Sequence, residues 1–292
     1  MQQPAKPAEW WPLLSEAISR LFADEAIPLA GNIAFRTIFS VFPFLIFLVA
    51  LAGFFGNDML AEQVVGYFLA VAPPELVRPL SPEIRSILTV PRTGLLSLSA
   101  LITIWSAMGG VDSVRVGLNR AYDLKEHRSV LRLYVQSVLF VIAAAAVTLA
   151  MALLIVLAPV SFALIDAYAP DIRPSFRLIE VARFPVVILL LTGWLLICHR
   201  ILPAQRLKIR DVLPGVVITV AVWIALATVY SYYLARFNNF ASTYASLSGV
   251  FAAMFFLYLA ALVLILGGEL NRVLIVRRSF LPSAEPPNLG QK

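Results

Sequence analysis

The sequence predicts an all-α polytopic membrane protein with six transmembrane helices, and three observations carry that prediction. Hydrophobic residues make up 60% of the 292 and charged residues only 14%, far from the balance of a water-soluble chain. The apolar residues gather into six runs, each of about 18 residues or more, enough for a helix rising about 1.5 Å per residue to cross about 30 Å of hydrocarbon. Basic residues are shared unequally between the segments that join those runs.

Residues 1–28 are polar with one amphipathic piece. Trp10, Leu13, Leu14, Ala17, Ile18, Leu21 and Phe22 recur at helical spacing opposite Ser15, Glu16, Ser19 and Arg20. This predicts a helix lying on the membrane surface, with Trp10 and Trp11 at headgroup level. No apolar segment with a small-residue cleavage site stands before the first span, so this segment is expected to stay on the chain. The first span, residues 29–55, holds 27 residues and one charge, Arg36. Pro43 has no N–H to offer the carbonyl of Phe39, so a kink is expected there. Residues 57–92 are too polar to span, and two amphipathic stretches, 59–72 and 75–88, flank Pro73-Pro74; two short extracytoplasmic helices are expected.

The second span is the uncharged run 94–111, and its helix is expected to continue out of the membrane to Asp123. The third, 133–165, exceeds one bilayer thickness and is expected to tilt or kink, with Pro159 near its outer end. The fourth covers 179–202 with Arg183 near one end. Asp211 is placed as N-cap of the fifth, 211–237, with Pro214 in the first turn, where its missing N–H costs nothing. The sixth, 247–276, is interrupted by Gly267-Gly268-Glu269. The domain reading is therefore an amphipathic segment 1–28, a membrane domain 29–278 and a disordered tail 279–292.

Six spans put both termini on one side. Fifteen of the 23 Lys and Arg lie in the segments on that side, among them Arg115, Arg120, Arg128, Arg206, Lys208, Arg272 and Arg277, against seven on the other, with Arg36 inside the first span. Both termini are thus expected in the cytoplasm. The formal charge of +6 is accounted for by topology, which removes the main reason to expect a nucleic-acid partner. The single cysteine, Cys198, excludes an intrachain disulfide and a Cys-rich metal site.

Polar residues within the spans are the candidate functional positions. Asn32, Arg36 and Ser40 are spaced i, i+4, i+8 and share one helix face. A guanidinium inside a span persists by snorkelling, pairing or facing water. Glu269 reaches a similar depth from the sixth span, so a pair with Arg36 is one reading; a snorkelling arginine and a solvated helix-end carboxylate is the other. Gly267 and Gly268 would admit a close backbone approach. Asn32, Arg36, Ser40, Glu269 and Asn271 together form the candidate substrate path. Ser97, Ser99, Thr103 and Ser106 either line that path or bond back to their own helix. Tyr232, Tyr233 and Tyr244 read as an outer aromatic belt. His127 and His199 read as interfacial polar residues. No nucleotide-binding, nucleophile-elbow or metalloprotease motif occurs, so neither an enzyme nor a cofactor or metal is expected.

With those residues in view, the chain resembles the YihY/BrkB family of bacterial inner-membrane proteins, some of which carry a ribonuclease BN label. The matching pieces are Ala34-Phe35-Arg36-Thr37-Ile38-Phe39-Ser40-Val41-Phe42-Pro43, Trp105, Leu118-Asn119-Arg120-Ala121-Tyr122, Leu202-Pro203, Pro214-Gly215 with Trp223, Tyr244-Ala245-Ser246-Leu247, and Gly267-Gly268-Glu269-Leu270-Asn271. They depart from the family pattern at Arg36, where it usually has an aromatic, at Ala245 and at Phe256. The resemblance implies six spans, the bacterial inner membrane, and roles discussed as envelope integrity, serum resistance and lipid transport.

The expected function is transport-like: moving an amphipathic or anionic envelope molecule, a lipid among them, along the polar face. The alternative is a scaffold or assembly factor for envelope machinery. Ribonuclease activity stands third, because phosphodiester hydrolysis needs clustered metal ligands or an acid and a base. Membrane lipids, envelope proteins or further copies of the chain are the expected partners.

Overall fold

The computed structural model describes residues 10–54, 93–157, 173–237 and 245–280. Among them are seven α-helices: α1 (Trp10–Ala23), α2 (Ala26–Phe54), α3 (Thr93–Ala121), α4 (Val130–Ala152), α5 (Arg173–Ile201), α6 (Ile209–Phe237) and α7 (Ala245–Phe280). A π-helical turn, Leu153–Leu157, continues α4. No strand occurs among the described residues. Five of the helices are long and apolar enough over their described residues to cross a membrane, and α3 carries the uncharged run 94–111, so six spans are compatible with the structure. The expected short helices within 57–92, the outer end of the third span with Pro159, Tyr244 and the tail from residue 281 lie outside the described residues.

Burial explains why this is a membrane fold. Only 6–28% of each spanning window is buried inside the protein. Leu131, Leu139, Ile142 and Leu149 of α4, Leu189 of α5 and Val229 of α6 all face outward. A surface so continuously apolar is stable against hydrocarbon and not against water.

α7 is the hub, lying against α1, α2, α3 and α6. Its contact with α6 is backbone to backbone. A Cβ added at Gly215 would collide with the carbonyl oxygen of Gly267, and one added at Gly267 would collide with Thr219 Oγ1. Small residues thus allow this close approach, as the Gly267-Gly268 pair predicts. On α2, Ala26, Ala30 and Ala34 recur every fourth residue and are fully buried. The first two join Ile265 of α7 and Ala121 of α3 in one core cluster. Trp223 Nε1 donates to the Ala260 carbonyl at 2.9 Å, and the Tyr230 hydroxyl donates to that of Ala252, tying α6 to α7 higher up.

α1 is the expected amphipathic helix, and one of its apolar faces is taken up by the protein. Leu13, Ala17 and Leu21 are buried, the first two against Leu270 and Val273 of α7, while Trp11, Ile18 and Phe22 point outward. The apolar residues form two stripes, and the protein covers one of them. α6 begins earlier than expected. Asp211 is its third residue, not its N-cap, and its carboxylate receives Arg278 at 3.3 Å. Pro214 therefore sits in the second turn, where its missing N–H deprives the Arg210 carbonyl, which Arg278 Nη1 supplies at 3.4 Å. α2 runs on both sides of Pro43 as one helix.

α3 ends in a Schellman motif: Leu124 N–H bonds to Asn119 O at 2.8 Å and Asp123 N–H to Arg120 O at 2.9 Å, with Asp123 in the left-handed region at φ 54°. Gly215→Ala and Gly267→Ala are expected to lower stability by about 3 kcal/mol or more, the upper end of overpacking costs, because backbone would have to move. Gly31→Ala, with nothing near its added Cβ, is expected to stay within about 1 kcal/mol of the parent. Thermal unfolding in detergent measures both.

Candidate functional site

Two polar assemblies sit at the end of the bundle where α1 meets α2 and α3 meets α4. The first is a cavity of about 530 Å³ between α2, α3 and α4. Asn32 and Arg36 reach it from α2, one turn apart. Arg36 Nε donates to Asn32 Oδ1 at 3.2 Å, Asn32 Nδ2 to Ser113 Oγ at 3.3 Å, and Ser113 Oγ to the Gly109 carbonyl at 2.9 Å. The guanidinium is thereby steered over Gly109, where an added Cβ would stand 2.6 Å from Arg36 Nη1. No acidic side chain among the described residues pairs with it.

Arg115 holds the inner wall and is 2% exposed. Its Nη1 donates to Asp112 Oδ1 at 2.9 Å; its Nη2 donates to Ser137 Oγ and, at 3.4 Å, to the Leu133 carbonyl of α4. Nε of Arg115 and the buried hydroxyl of Ser106 have no partner. Phe35, Phe39, Trp105 and Tyr134 form the apolar rim and are all exposed. The guanidinium of Arg36 under an aromatic rim fits an anion carrying an apolar body.

The second assembly is a buried knot. Asn271 Oδ1 accepts from Gly215 N–H at 2.6 Å, while its Nδ2 donates to the Val212 carbonyl at 2.9 Å and to the Tyr122 hydroxyl at 3.0 Å. That hydroxyl lies 2.8 Å from His199 Nδ1. His199 Nε2, on the other side of the ring, is buried without a partner. Beside it, Asn119 Oδ1 accepts from Ala204 N–H at 2.7 Å and its Nδ2 donates to Glu126. Arg128 donates to Glu126 at 2.8 and 2.6 Å and to the Leu202 carbonyl at 3.0 Å, and Gln136 caps the Ile201 carbonyl at 2.8 Å. Side chains thus satisfy the carbonyls at the end of α5.

A family model described as Virulence factor BrkB matches residues 17–288. The chain belongs to the BrkB family. A curated relative from Bacillus subtilis (strain 168), named "Putative ribonuclease-like protein YfkH", is 31% identical over 280 residues, 94% of this chain and 98% of that protein. No solved structure matches. Some of the pieces on which the BrkB resemblance rests meet in the knot, through Asn119, Tyr122, Gly215 and Asn271, while Arg36 and Trp105 belong to the cavity.

The structure separates the five residues placed on one path. Asn32 and Arg36 line the cavity. Ser40 donates to the Thr37 carbonyl at 2.7 Å, within its own helix, and is not in the lining. Asn271 belongs to the knot. Glu269 is fully buried, neither of its oxygens meets a hydrogen-bond donor, and its charged neighbours are Asp24, Arg272 and Arg20. It does not pair with Arg36, because Glu269 faces the α1–α2 turn while Arg36 faces α3. Nor is it a solvated cap.

One further expectation changes, and one alternative is resolved. His199 is fully buried in the knot and not interfacial. Thr103 bonds back to the Ser99 carbonyl at 2.7 Å, whereas Ser106 lines the cavity. Sequence reasoning passed over Arg115 and Asp112; the signal available was a charged pair at i, i+3 directly after an uncharged run, on a helix continuing out of the membrane.

Hydrogen bonds from Arg128 hold the Glu126 carboxyl well below the usual carboxylate range, at about 2. A depressed native value stabilises the fold fully above the unfolded value, near 4.5, and the contribution is lost as pH falls through about 2. Glu126→Gln is therefore expected to lower the thermal midpoint at neutral pH and to flatten its decline in that acid window. Paired pH titrations of the midpoint check this.

Proposed function

We propose that this BrkB-family protein resides in the bacterial inner membrane with both termini in the cytoplasm and binds and moves an anionic amphiphile. The observation that carries this reading is the cavity between α2, α3 and α4. Arg36 enters it without an acidic partner among the described residues, Arg115 and the unpartnered Ser106 line its floor, and an exposed aromatic rim leads outward. Arg36 lies ten residues into α2, about 15 Å along the helix. A headgroup held there would lie within the span while its chains pass Phe39 and Trp105 into hydrocarbon. The orientation rests on the basic-residue asymmetry, fifteen against seven.

The reading involves no bond cleavage. The relative's name points to ribonuclease-like chemistry, but no group of three or more His, Cys, Asp or Glu able to hold a metal occurs among the described residues. His199, a natural acid–base candidate, is sealed in the knot and bonded to Tyr122. A scaffold is the second reading, favoured by the outward stripe of Trp11, Ile18 and Phe22 on α1, which offers a partner an apolar edge.

Purified protein reconstituted into liposomes with a fluorescent anionic phospholipid is expected to accelerate its movement between leaflets. Arg36→Gln should reduce that rate roughly tenfold, the loss of about 1.4 kcal/mol of charge-assisted binding in the crossing state. An inactive parent would leave the scaffold reading; an active parent matched by Arg36→Gln would remove this cavity from the path. For orientation, a C-terminal alkaline phosphatase fusion is expected to be inactive in cells; activity would reverse the topology.

A further inference from the structure

We infer that the cavity between α2, α3 and α4 selects a phosphodiester with a single negative charge and a hydroxyl-bearing headgroup. The inference rests on the anionic-amphiphile reading and narrows it. Its first support is charge. The ionisable lining side chains are Arg36, Asp112, Arg115 and the phenol of Tyr134. Asp112 neutralises Arg115 through their 2.9 Å contact, so the positive charge of Arg36 is left over. One negative charge balances it. A phosphomonoester, carrying nearly two at neutral pH, would leave a net negative charge in a partly desolvated site. A zwitterionic headgroup would leave Arg36 uncompensated.

Hydrogen-bonding capacity supplies the second support. Arg36 spends Nε on Asn32, which leaves the Nη pair free to grip two oxygens of one phosphate as a fork. Ser106 adds an unpartnered hydroxyl. Asp112 is 54% exposed at its side chain and uses Oδ1 on Arg115, so Oδ2 is free to accept from a headgroup hydroxyl. Size is the third. About 530 Å³ matches a substituted phosphodiester, and the lone carboxylate of a fatty acid would fill little of it. Gly109 sets the position of the receptor: any side chain there displaces the guanidinium.

The test is native mass spectrometry of the full-length protein in detergent, titrated separately with phosphatidylglycerol, phosphatidylethanolamine, phosphatidic acid and soluble glycerophosphoglycerol. The expected result is at least roughly tenfold tighter retention of phosphatidylglycerol than of either other lipid or the soluble headgroup. Arg36→Gln is expected to erase that preference, and Gly109→Ala to weaken it with the fold intact by size exclusion. Stronger retention of phosphatidic acid or phosphatidylethanolamine overturns the single-charge assignment while the anionic or amphiphile reading stands on the leaflet assay. Equal retention of all three lipids overturns the charge assignment and the reading beneath it. Soluble glycerophosphoglycerol held as tightly as the lipid keeps the charge assignment and overturns the amphiphile. Preference unchanged in both variants overturns this cavity as the site.

Discussion

One carboxamide holds the frame together. Asn271 meets a backbone N–H and a backbone carbonyl of α6 and the hydroxyl of Tyr122 just beyond α3, at the level where Gly215 and Gly267 bring two helices into backbone contact. Such closeness leaves little room for water, so the polar groups that Asn271 meets depend on protein partners. A single residue of α7 supplies them. α5 joins through His199, which closes on the same tyrosine.

The cavity inherits its geometry from that frame. α3 is one helix from Thr93 to Ala121, so anchoring its end through Asn119 and Tyr122 also sets the angular position of Arg115, Asp112 and Gly109. Arg115 then bonds α4 through Ser137 and the Leu133 carbonyl, which fixes the third wall. Only Arg36, on exposed surface and tethered through Asn32, keeps a free guanidinium edge. Rigidity is invested in the floor, and freedom is left to the group that meets a ligand.

Glu269 illustrates a different balance. It is buried beneath an ionic cover in which Arg272 reaches Asp123 at 2.6 Å and Asp24 at 3.9 Å, and Arg120 reaches Asp24 at 3.7 Å. That cover clamps the α1–α2 turn, whose Glu25 is left-handed at φ 57°, and the Schellman turn after α3 onto α7. The carboxylates of the cover are engaged with one another's cations, and Glu269 receives no donor. Its role belongs to the closure of this end of the bundle and not to the Arg36 face.

The amino-acid sequence by itself determined the all-helical spans, their order, the continuous helix from the second span to Ala121 and the close approach at Gly267-Gly268. These follow from apolar run length, helical periodicity and residue size, which are local quantities. Half of the site was legible in the same way, since Asn32 and Arg36 share a face by spacing alone. Tertiary structure decided which helix that face meets. Helix lengths can be counted from sequence, but which levels and faces meet is set by packing: Glu269 lies beside Asp24 at the start of α2, whereas Arg36 lies more than ten residues further along the chain and faces Gly109. Packing also decided that α1 docks with one of its two apolar stripes, that His199 is sealed inside, and that Arg115 is a buried wall of the cavity as well as one of the charges in the topology count. In each case the deciding quantity is a contact between residues far apart in the chain, which no local pattern encodes.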